Sequence, residues 1–364
     1  MMKPSILIFS EDPGAVNCIL PLLPLLQQAT IPFRLLAAGT ASGMYAAKGF
    51  QPDSFEEIDE LFAKDVPALV LTGTAANLDT AGLRLIDAAR ERGIPTLGIV
   101  DAPMNADLRF CGRSGSPLTH APDIIAVPDQ VCAERFKALG VGSSQISICG
   151  HPHYDAVRTR AEAVRQLDRC AVRKKFFSEI NEGQQLILFA GEPETHHQRN
   201  ADYLLHGRGK RNGRIEIVME EFLDATAGLI PRPARVLQLH PRSNVKDVGA
   251  LAGEFDSIHQ GGDLLEILYC ADVVAGLTSM LLMEAALMGT PTLAIIPRTE
   301  EKEWLPSIGW GATVCATDRA QLGAVLRGFN GEISVEPFGD KLICGAAENL
   351  CELIKGILFR KRMC

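Results

Sequence analysis

The chain has 364 residues, a net charge of −8, 47% hydrophobic residues and 22% charged residues. This length exceeds one typical core and suits two α/β domains. The acidic balance argues against nucleic-acid binding, which depends on basic surface, but it leaves room for a small anionic ligand at a local site. Ten scattered Cys without a C-x-x-C motif predict reduced thiols in a cytoplasmic protein, and neither a disulfide framework nor a zinc site.

In the first half, short apolar runs alternate with helical segments. Continuous apolar strands separated by helices are typical of a parallel sheet that is covered on both faces. The predicted strands are 5–10, 33–39, 68–74, 96–101, 123–129 and 146–152. The predicted helices are about 15–28, a segment through Tyr45, and 79–92. The run at 5–10 is followed at once by two acids, so it predicts a first strand and not a signal peptide.

A charged, helical segment at 156–184 predicts a connection between domains. A second α/β series follows it, with a polar, Gly-rich stretch at 196–213 that predicts a mobile loop. The predicted strands of this series are 186–192, 235–241, 255–260, 272–277 and 291–296, with helices at 214–229, at 263–271 and between the last two strands. The fold class expected from this order is α/β, with two Rossmann-like domains facing across a cleft.

The expected domains are an N-terminal acceptor domain at 1–155 and a C-terminal nucleotide-sugar domain at 185–340. A C-terminal helix at 341–364 is expected to pack back towards the N-terminal domain. The segment LIKGILFRKRMC (353–364) is apolar and then basic. A last helix with a solvated basic end is favoured, and peripheral contact with the inner membrane surface is the alternative. No stretch is apolar for the roughly 18 residues that a membrane span needs.

Chemically suitable residues follow three predicted strands of the second half. Gly191 and Glu192 follow the first, His240 and Arg242 lie just after the second, and the pair Thr278–Ser279 follows another and opens a helix. Ligands of parallel α/β sheets bind beyond the carboxyl ends of the strands. Amides at a helix start bind anions, and a hydroxyl, an imidazole and a guanidinium add donors. The residues after the second and third of these strands therefore predict a phosphate site, and Gly191 and Glu192 are candidates for binding the nucleotide.

Glu284, on the helix that Ser279 opens, is placed to accept hydrogen bonds from ribose hydroxyls. Each of these residues also has a simpler explanation. Ser279 is an ordinary helix N-cap, Glu284 an exposed helical acid and His240 a turn histidine with its hydrogen bonds satisfied. Their occurrence together at strand ends of one half favours the functional interpretation.

In the first half, Glu11 and Asp12 follow the first strand and are candidates for a catalytic base. Asp12 before Pro-Gly is equally typical of a turn that caps a helix. Asp101, Asn105 and Arg109 follow the fourth strand and are candidates for binding an acceptor. The adjacent His196 and His197 have no third metal ligand at a telling spacing, so no metal site is predicted.

Two stretches resemble known families. LHPRSN (239–244) followed by DLLEILYCADVVAGLTSMLLMEAALMGTPTLAI (263–295) resembles the donor half of GT-B glycosyltransferases. It is similar to the stretch shared by the UDP-N-acetylglucosamine 2-epimerase superfamily and bacterial surface-polysaccharide transferases. APDIIAVPDQVCAERFKALGVGSSQISICGHPHYDAV (121–157) resembles the end of the first domain in those proteins, where Gly150, Pro152 and Asp155 match a Gly-x-Pro-x-x-Asp element.

The His-Pro and Thr-Ser motifs are also similar to those of GT-B sialyltransferases and CDP-glycerol-type transferases. That resemblance implies phosphate contacts by His240, Thr278 and Ser279, and a ribose contact by Glu284. It also implies transfer without a metal or other cofactor, and no Asp-x-Asp motif occurs in the chain. The chain departs from the epimerases because Thr-Ser-Met stands where that family has Ser-Gly-Gly followed by paired Glu.

The leading hypothesis is a glycosyltransferase that uses a CMP- or UDP-linked sugar. Its acceptor would be a surface polysaccharide or a lipid-linked sugar, with Glu11 or Asp12 as the base and His240 stabilising the departing phosphate. The second hypothesis is epimerisation or hydrolysis of a UDP-sugar on the same fold. The third is a nucleotide-binding protein without catalytic activity, because the stretch APMNADLRF (102–110) is unusual and the chain has no obvious unique base. The fold does not decide among the three, since one fold hosts many activities.

Overall fold

The structure is a computed structural model that describes residues 5–53, 57–75, 77–193, 203–209, 213–329 and 342–360. The chain folds as two compact units. Unit 1 comprises Met1–Ala156 together with Leu342–Cys364, and unit 2 comprises Val157–Lys341. His196 and His197, and most of the predicted loop at 196–213, lie outside the described residues. Among the helices that the structure describes, none is both long and apolar enough to cross a membrane.

Unit 1 is built on a six-stranded parallel sheet with the order β2-β1-β3-β4-β5-β6. Its strands are β1 (Ile6–Ser10), β2 (Phe33–Ala37), β3 (Leu69–Gly73), β4 (Thr96–Ile99), β5 (Ile124–Val127) and β6 (Ile146–Ile148). Ile8 of β1 lies opposite Leu35 of β2 and Leu71 of β3. Every residue of β1 and β3 is buried, as the continuous apolar runs predict for strands covered on both faces.

Helices separate the strands of unit 1. They are α1 (Pro13–Ile19), α2 (Leu22–Gln28), α3 (Ala41–Ala47), α4 (Ile58–Lys64), α5 (Ala81–Glu91) and α6 (Gln130–Ala138). Side chains fix two of the starts: Thr80 Oγ1 accepts from the Gly82 amide at the start of α5, and an Asp129 carboxylate oxygen accepts from the Cys132 amide at the start of α6. The prediction of a single helix at about 15–28 is wrong. The helix breaks before Pro21, because proline has no amide hydrogen and its ring clashes with the preceding turn.

The last described segment forms α15 (Ala346–Arg360), which belongs to unit 1 and packs against α2. Leu350, Ile354 and Leu358 join the apolar cluster that contains Leu22 and Leu26. Helix α15 therefore completes one face of the unit 1 core.

The Gly-x-Pro-x-x-Asp element holds the beginning of α15. Asp155 Oδ2 accepts from the Ala346 amide at 2.7 Å. Gly150 has a φ of +88°, and a Cβ at this position would lie 2.8 Å from Ala346 Cβ and 2.9 Å from the Ile343 carbonyl oxygen. Only glycine adopts this backbone conformation in so little space. The element therefore has a structural role in joining β6 to the start of α15.

The charged segment at 156–184 forms most of α7 (Pro152–Val164) and all of α8 (Arg169–Phe176). Helix α8 packs against α11 (Leu264–Cys270) inside unit 2, where Lys175 pairs with Glu266 at 2.6 Å and Arg169 pairs with Asp272 at 2.8 Å. This part of the predicted connection is thus integrated into the second unit.

Unit 2 is built on a second six-stranded parallel sheet, with the order β12-β11-β10-β7-β8-β9. Its strands are β7 (Leu186–Ala190), β8 (Ala234–Gln238), β9 (Ser257–His259), β10 (Val273–Gly276), β11 (Thr292–Ile295) and β12 (Val314–Ala316). The further helices are α9 (Arg214–Ala227), α10 (Val245–Val248), α12 (Met280–Met288), α13 (Pro306–Gly309) and α14 (Arg319–Gly328). Leu188 of β7 lies opposite Val236 of β8 and Val274 of β10. The short strand β12 and helices α4, α10, α13 and α14 were not expected from the sequence.

Candidate functional site

The sheet of unit 2 reverses its direction of winding beside β7. From β7 the chain adds β8 and β9 on one side, then returns to add β10, β11 and β12 on the other. Read from β9, this is the 3-2-1-4-5-6 order of a doubly wound sheet, in which ligands bind outside the carboxyl ends of the strands at the switch point. The switch point lies between β7 and β10.

The predicted residues lie at these strand ends. Glu192 follows β7 and Thr278 follows β10, and Glu192 Oε1 accepts from the Thr278 amide at 2.6 Å. Gly191 lies beside β8, because a Cβ there would be 3.0 Å from the Gln238 carbonyl oxygen. Glycine thus lets the ends of β7 and β8 approach each other closely. His240 follows β8 and lies near Gly191, since that same Cβ would be 3.7 Å from the His240 amide nitrogen.

A pocket of about 790 Å³ opens at the ends of β7 and β8. Met219, Leu237 and Leu239 contribute apolar wall, and Glu192 and His240 contribute polar wall. Arg242, which was predicted to bind nucleotide, also lines it and is exposed. Sites for small molecules are typically clefts of roughly 300–1,000 Å³ with apolar walls and a few polar groups. The pocket has the size and lining of such a site.

Helix α12 begins directly after the Thr278–Ser279 pair. Ser279 is its N-cap, and its Oγ accepts from the Leu281 amide at 3.3 Å. The first amides of any helix have no partner within the helix and carry partial positive charge, so they are suited to an anion. The rest of α12 is largely buried against its sheet, whereas Glu284 is half-buried. The start of the helix thus combines a cap with anion-binding capacity.

Arg214, the first residue of α9, was not predicted from the sequence as a site residue. Its guanidinium is 1% exposed and lies over the ring of Trp304. It donates to Glu192 Oε2 at 3.0 Å, to Glu301 Oε2 at 2.7 Å, and to Thr278 Oγ1 at 3.0 Å. Burial lowers the pKa of Arg214, but the two carboxylates outweigh it and raise the pKa overall. These partners are distant in the sequence, so no local spacing reveals the network.

Glu301 has no exposed side-chain surface and also pairs with Arg298. Two buried or half-buried guanidiniums therefore face two carboxylates, Glu192 and Glu301. A buried charge is tolerated when it is paired and hydrogen-bonded, and removal of one partner leaves the other uncompensated. The network fixes the positions of the ends of β7 and β10 and the start of α9.

His240 lines the pocket as a neutral donor. Its Nδ1 accepts from the Arg242 amide at 3.1 Å, which places the proton of a neutral ring on Nε2. Partial burial, with a smaller contribution from Arg242, lowers the pKa of His240. The ring is thus neutral at physiological pH, and Nε2–H is able to donate a hydrogen bond.

In unit 1, Glu11 and Asp12 follow β1. The Glu11 carboxylate accepts from Asn77 Nδ2 at 2.9 Å and from Thr80 Oγ1 at 2.8 Å, so its orientation is fixed. Asp12 occupies the N-cap position of α1, but its side chain accepts no bond from the first amides of that helix, which the structure describes. Capping therefore does not account for Asp12, and the catalytic role of both acids stays a prediction.

The three residues predicted to bind an acceptor lie in the loop after β4. Arg109 Nη1 is 2.9 Å from Asp101 Oδ1, and its Nε and Nη2 donate to the Met104 carbonyl oxygen at 3.3 and 3.2 Å. Arg109 is 5% exposed, and Asn105 has a φ of +56°. Arg109 therefore holds its own loop in place. Contact of Asp101, Asn105 or Arg109 with an acceptor stays a prediction.

A buried histidine follows β6 in unit 1. His151 is 4% exposed, and its ring stacks on Tyr154 with 3.9 Å between centroids. Its Nε2 lies 3.6 Å from Cys18 Sγ. Burial, with a smaller contribution from His153, lowers the pKa of His151 to about 3, so the ring stays neutral in the folded protein. Burial also raises the pKa of Cys18, so the pair lacks the features of a thiolate nucleophile.

Within the described residues, no group of three or more His, Cys, Asp or Glu side chains is arranged to hold a metal ion. The candidate site comprises the pocket, the start of α12 and the ionic network of unit 2.

No protein-family model matches the chain, and no curated protein matches it either. Solved structures do match along its whole length. The UDP-GlcNAc 2-epimerase from Neisseria meningitidis bound to UDP-GlcNAc is 16% identical, with a TM-score of 0.70 over 97% of this chain and 100% of that chain. The Methanocaldococcus jannaschii UDP-GlcNAc 2-epimerase in complex with UDP-GlcNAc and UDP is 14% identical, with a TM-score of 0.68 over 98% and 100%.

A more distant match is Anabaena HepE in complex with UDP, which is 12% identical with a TM-score of 0.55 over 98% of this chain and 100% of that chain. The chain shares the fold of these proteins. The predicted fold class, with two Rossmann-like α/β domains, is confirmed, and the fold is that of the UDP-GlcNAc 2-epimerases named above.

Proposed function

We propose that the chain is an enzyme that binds a UDP-sugar in unit 2 and epimerises or hydrolyses the sugar without a second sugar as acceptor. The observation that carries this proposal is the full-length similarity to UDP-GlcNAc 2-epimerases, two of which contain UDP-GlcNAc. The pocket of unit 2 supports it, because it lies at the strand ends where doubly wound sheets bind nucleotides.

In this proposal the pyrophosphate lies at the start of α12. The hydroxyls of Thr278 and Ser279, amides of the helix start, and His240 Nε2–H would donate to phosphate oxygens. Arg242, at the exposed rim, would add a positive charge. Such donors stabilise the negative charge that develops on a departing phosphate.

The same proposal gives Glu284 the ribose hydroxyls, because it lies on α12 about one and a half turns beyond the start. Gly191 would let the ligand approach the end of β7. Glu11 and Asp12 remain the proposed sources of a catalytic base. The first test measures turnover alone, so it does not depend on which residue contacts the ribose or acts as the base.

Glycosyl transfer is the second candidate, and a specific departure favours it. Thr278-Ser279-Met280 replaces the Ser-Gly-Gly of the epimerases, and Glu284 is the only acid of α12 where that family has paired Glu. An enzyme that lacks one of the two acids has lost a group that can take part in proton transfer. Transfer to an acceptor hydroxyl would instead require a base at that hydroxyl, and not a second acid on α12.

The decisive experiment incubates the protein with UDP-GlcNAc alone and follows the sugar and phosphate signals by proton and phosphorus NMR. Appearance of the C2 epimer, or of free UDP and sugar, supports the proposal. His240→Ala should reduce turnover by about 10²-fold if this donor stabilises the departing phosphate. Arg327→Ala changes an exposed residue of α14 and serves as the control.

Release of UDP only when a carbohydrate or lipid-linked acceptor is added would overturn epimerisation and support glycosyl transfer. Binding of UDP-GlcNAc without product under either condition would support a nucleotide-binding protein that lacks catalysis.

A further inference from the structure

Glu192 places a carboxylate at the proposed phosphate site. Its Oε1 accepts from the Thr278 amide at 2.6 Å, which is a donor at the approach to α12. Its side chain is 14% exposed and lines the pocket. The free protein therefore already holds a negative group where an incoming phosphate would lie.

The guanidinium of Arg214, which pairs with Glu192, also pairs with a second carboxylate. Arg214 donates to Glu192 and also to Glu301, which has no exposed side-chain surface and pairs in turn with Arg298. Two guanidiniums thus face two carboxylates. His240 lines the same pocket and contributes a neutral ring, since its pKa is lowered by burial and by Arg242. Within this described set, Arg242 is the cation without a carboxylate partner in the network, and it is exposed.

The two guanidiniums and two carboxylates of this network nearly cancel in charge, and Glu192 is the member that lines the pocket. A ligand phosphate at this position therefore meets a carboxylate with no excess of positive charge behind it. One negative charge is accommodated by the helix amides and by His240 Nε2–H. A second negative charge on the same phosphate adds repulsion from Glu192, and in a partly buried site this repulsion is only weakly screened. The penalty therefore grows with the charge of the phosphate.

We infer that Glu192 makes the site selective for a phosphodiester over a terminal phosphate monoester. This inference rests on the proposed function and specifies its substrate class. In a nucleoside diphosphate sugar each phosphate is a diester or its equivalent and carries one negative charge. The terminal phosphate of a free nucleoside diphosphate carries nearly two above its second pKa of about 6. The intact UDP-sugar therefore binds more tightly than free UDP, and free UDP is released.

The test compares two ligands that differ in one methyl group and, because of it, in this charge. UDP and the methyl ester of UDP on its terminal phosphate are titrated into the full chain by calorimetry at about pH 8, where UDP carries the extra charge. The parent protein should bind the ester about tenfold more tightly than UDP, because juxtaposed like charges weaken binding. In Glu192→Gln, which keeps the acceptor for the Thr278 amide but removes the charge, this preference should fall to about twofold or less.

Asp247→Asn is the matched control. Asp247 lines the same pocket and accepts from the Asn244 amide at 2.8 Å, so the substitution removes one charge from the pocket wall and leaves the Glu192–Thr278 contact in place. It should keep most of the preference for the ester. An equal preference in the parent and in Glu192→Gln would overturn the inference, and so would equal losses in both variants.

If Glu192→Gln does not fold, the affinities of the parent protein for UDP and for the ester still test the inference. Tighter binding of UDP than of the ester by the parent overturns the inference but leaves the proposed function intact. Failure of the parent to bind either ligand overturns the inference, and the NMR turnover assay shows separately whether a UDP-sugar is a substrate.

Discussion

Arg214 and Glu192 form an ion pair with 3.0 Å between Nη1 and Oε2, and the arginine is 1% exposed. The same guanidinium binds Glu301 and Thr278, so one side chain joins three loops that follow or precede elements of the unit 2 sheet. The proposed phosphate site is therefore held by a residue that would not itself need to contact the ligand.

Arg214→Met should lower the free energy of unfolding by about 3–5 kcal/mol, because it leaves Glu192 and Glu301 with less compensation for their burial. Urea-induced unfolding measures this change. Arg232→Met is the control, since its pair with Asp256 is 43% and 31% exposed and should contribute about 1 kcal/mol or less. Equal losses for the two variants would show that the network adds nothing beyond a surface pair.

Thr278 has a structural role besides its proposed ligand contact. Its Oγ1 accepts from Arg214 Nη2, so Thr278→Val leaves a buried donor without its partner and should lower stability by about 1–3 kcal/mol. Thr278→Ser keeps the hydroxyl and should keep both stability and affinity.

Ser279→Ala removes only the cap of α12 and should lower stability by about 1 kcal/mol. It should also weaken UDP binding if the hydroxyl contacts phosphate. A thermal-shift titration with UDP, referred to the melting temperature of each variant without ligand, separates the two effects. Unchanged affinity in Ser279→Ala would remove this residue from the proposed site.

The stability of unit 1 should fall between pH 7 and pH 5 because of His151. Its pKa is about 3 in the folded protein, whereas an unfolded histidine has a pKa of about 6.5, so the unfolded state binds the extra proton as the pH falls. This difference contributes about 2 kcal/mol of lost stability at pH 5. In His151→Gln the change between the two pH values should be smaller by that amount, as measured by urea unfolding. The same pH dependence in both proteins would contradict a buried neutral His151.

Gly150→Ala should destabilise the protein more than Gly49→Ala. Both glycines have positive φ, +88° and +82°, but among the described residues a Cβ at Gly49 would meet no atom within 4 Å. The conformational strain alone should reduce stability by about 1–2 kcal/mol at either site. At Gly150 the close contacts with Ile343 and Ala346 should add about 1–3 kcal/mol. Equal effects on urea unfolding would mean that the start of α15 shifts to accommodate the added methyl group without a loss of stability.

The strands could be predicted from sequence because a buried parallel strand is a continuous apolar run. LILFA of β7 and ILIFS of β1 show this directly, and the helices between them followed from length and capping residues. The break at Pro21 was missed because the apolar pattern continues through it, although proline chemistry predicts such a break. Short elements such as β12, with three residues, carry too little pattern to be recognised.

The residues at the carboxyl ends of β7, β8 and β10 could also be predicted, since strand ends of one sheet lie at one edge. What could not be predicted is how they interact. Glu192 was expected to bind a ligand, and the structure shows it bound to Thr278 and Arg214. Arg214 lies 22, 64 and 87 positions from its three partners, so only the folded chain brings the four together.

The return of α15 to unit 1 has a consequence for the order of folding during synthesis. Leu350, Ile354 and Leu358 are part of the core that β1 and α2 begin, yet the ribosome makes them after all of unit 2. Unit 2 is continuous in sequence and can fold as soon as it emerges, whereas unit 1 keeps an apolar face uncovered until α15 is released. Unit 1 thus begins to be synthesised before unit 2 but completes its core after it. Until α15 packs, Leu22 and Leu26 stay exposed to aggregation in the nascent chain.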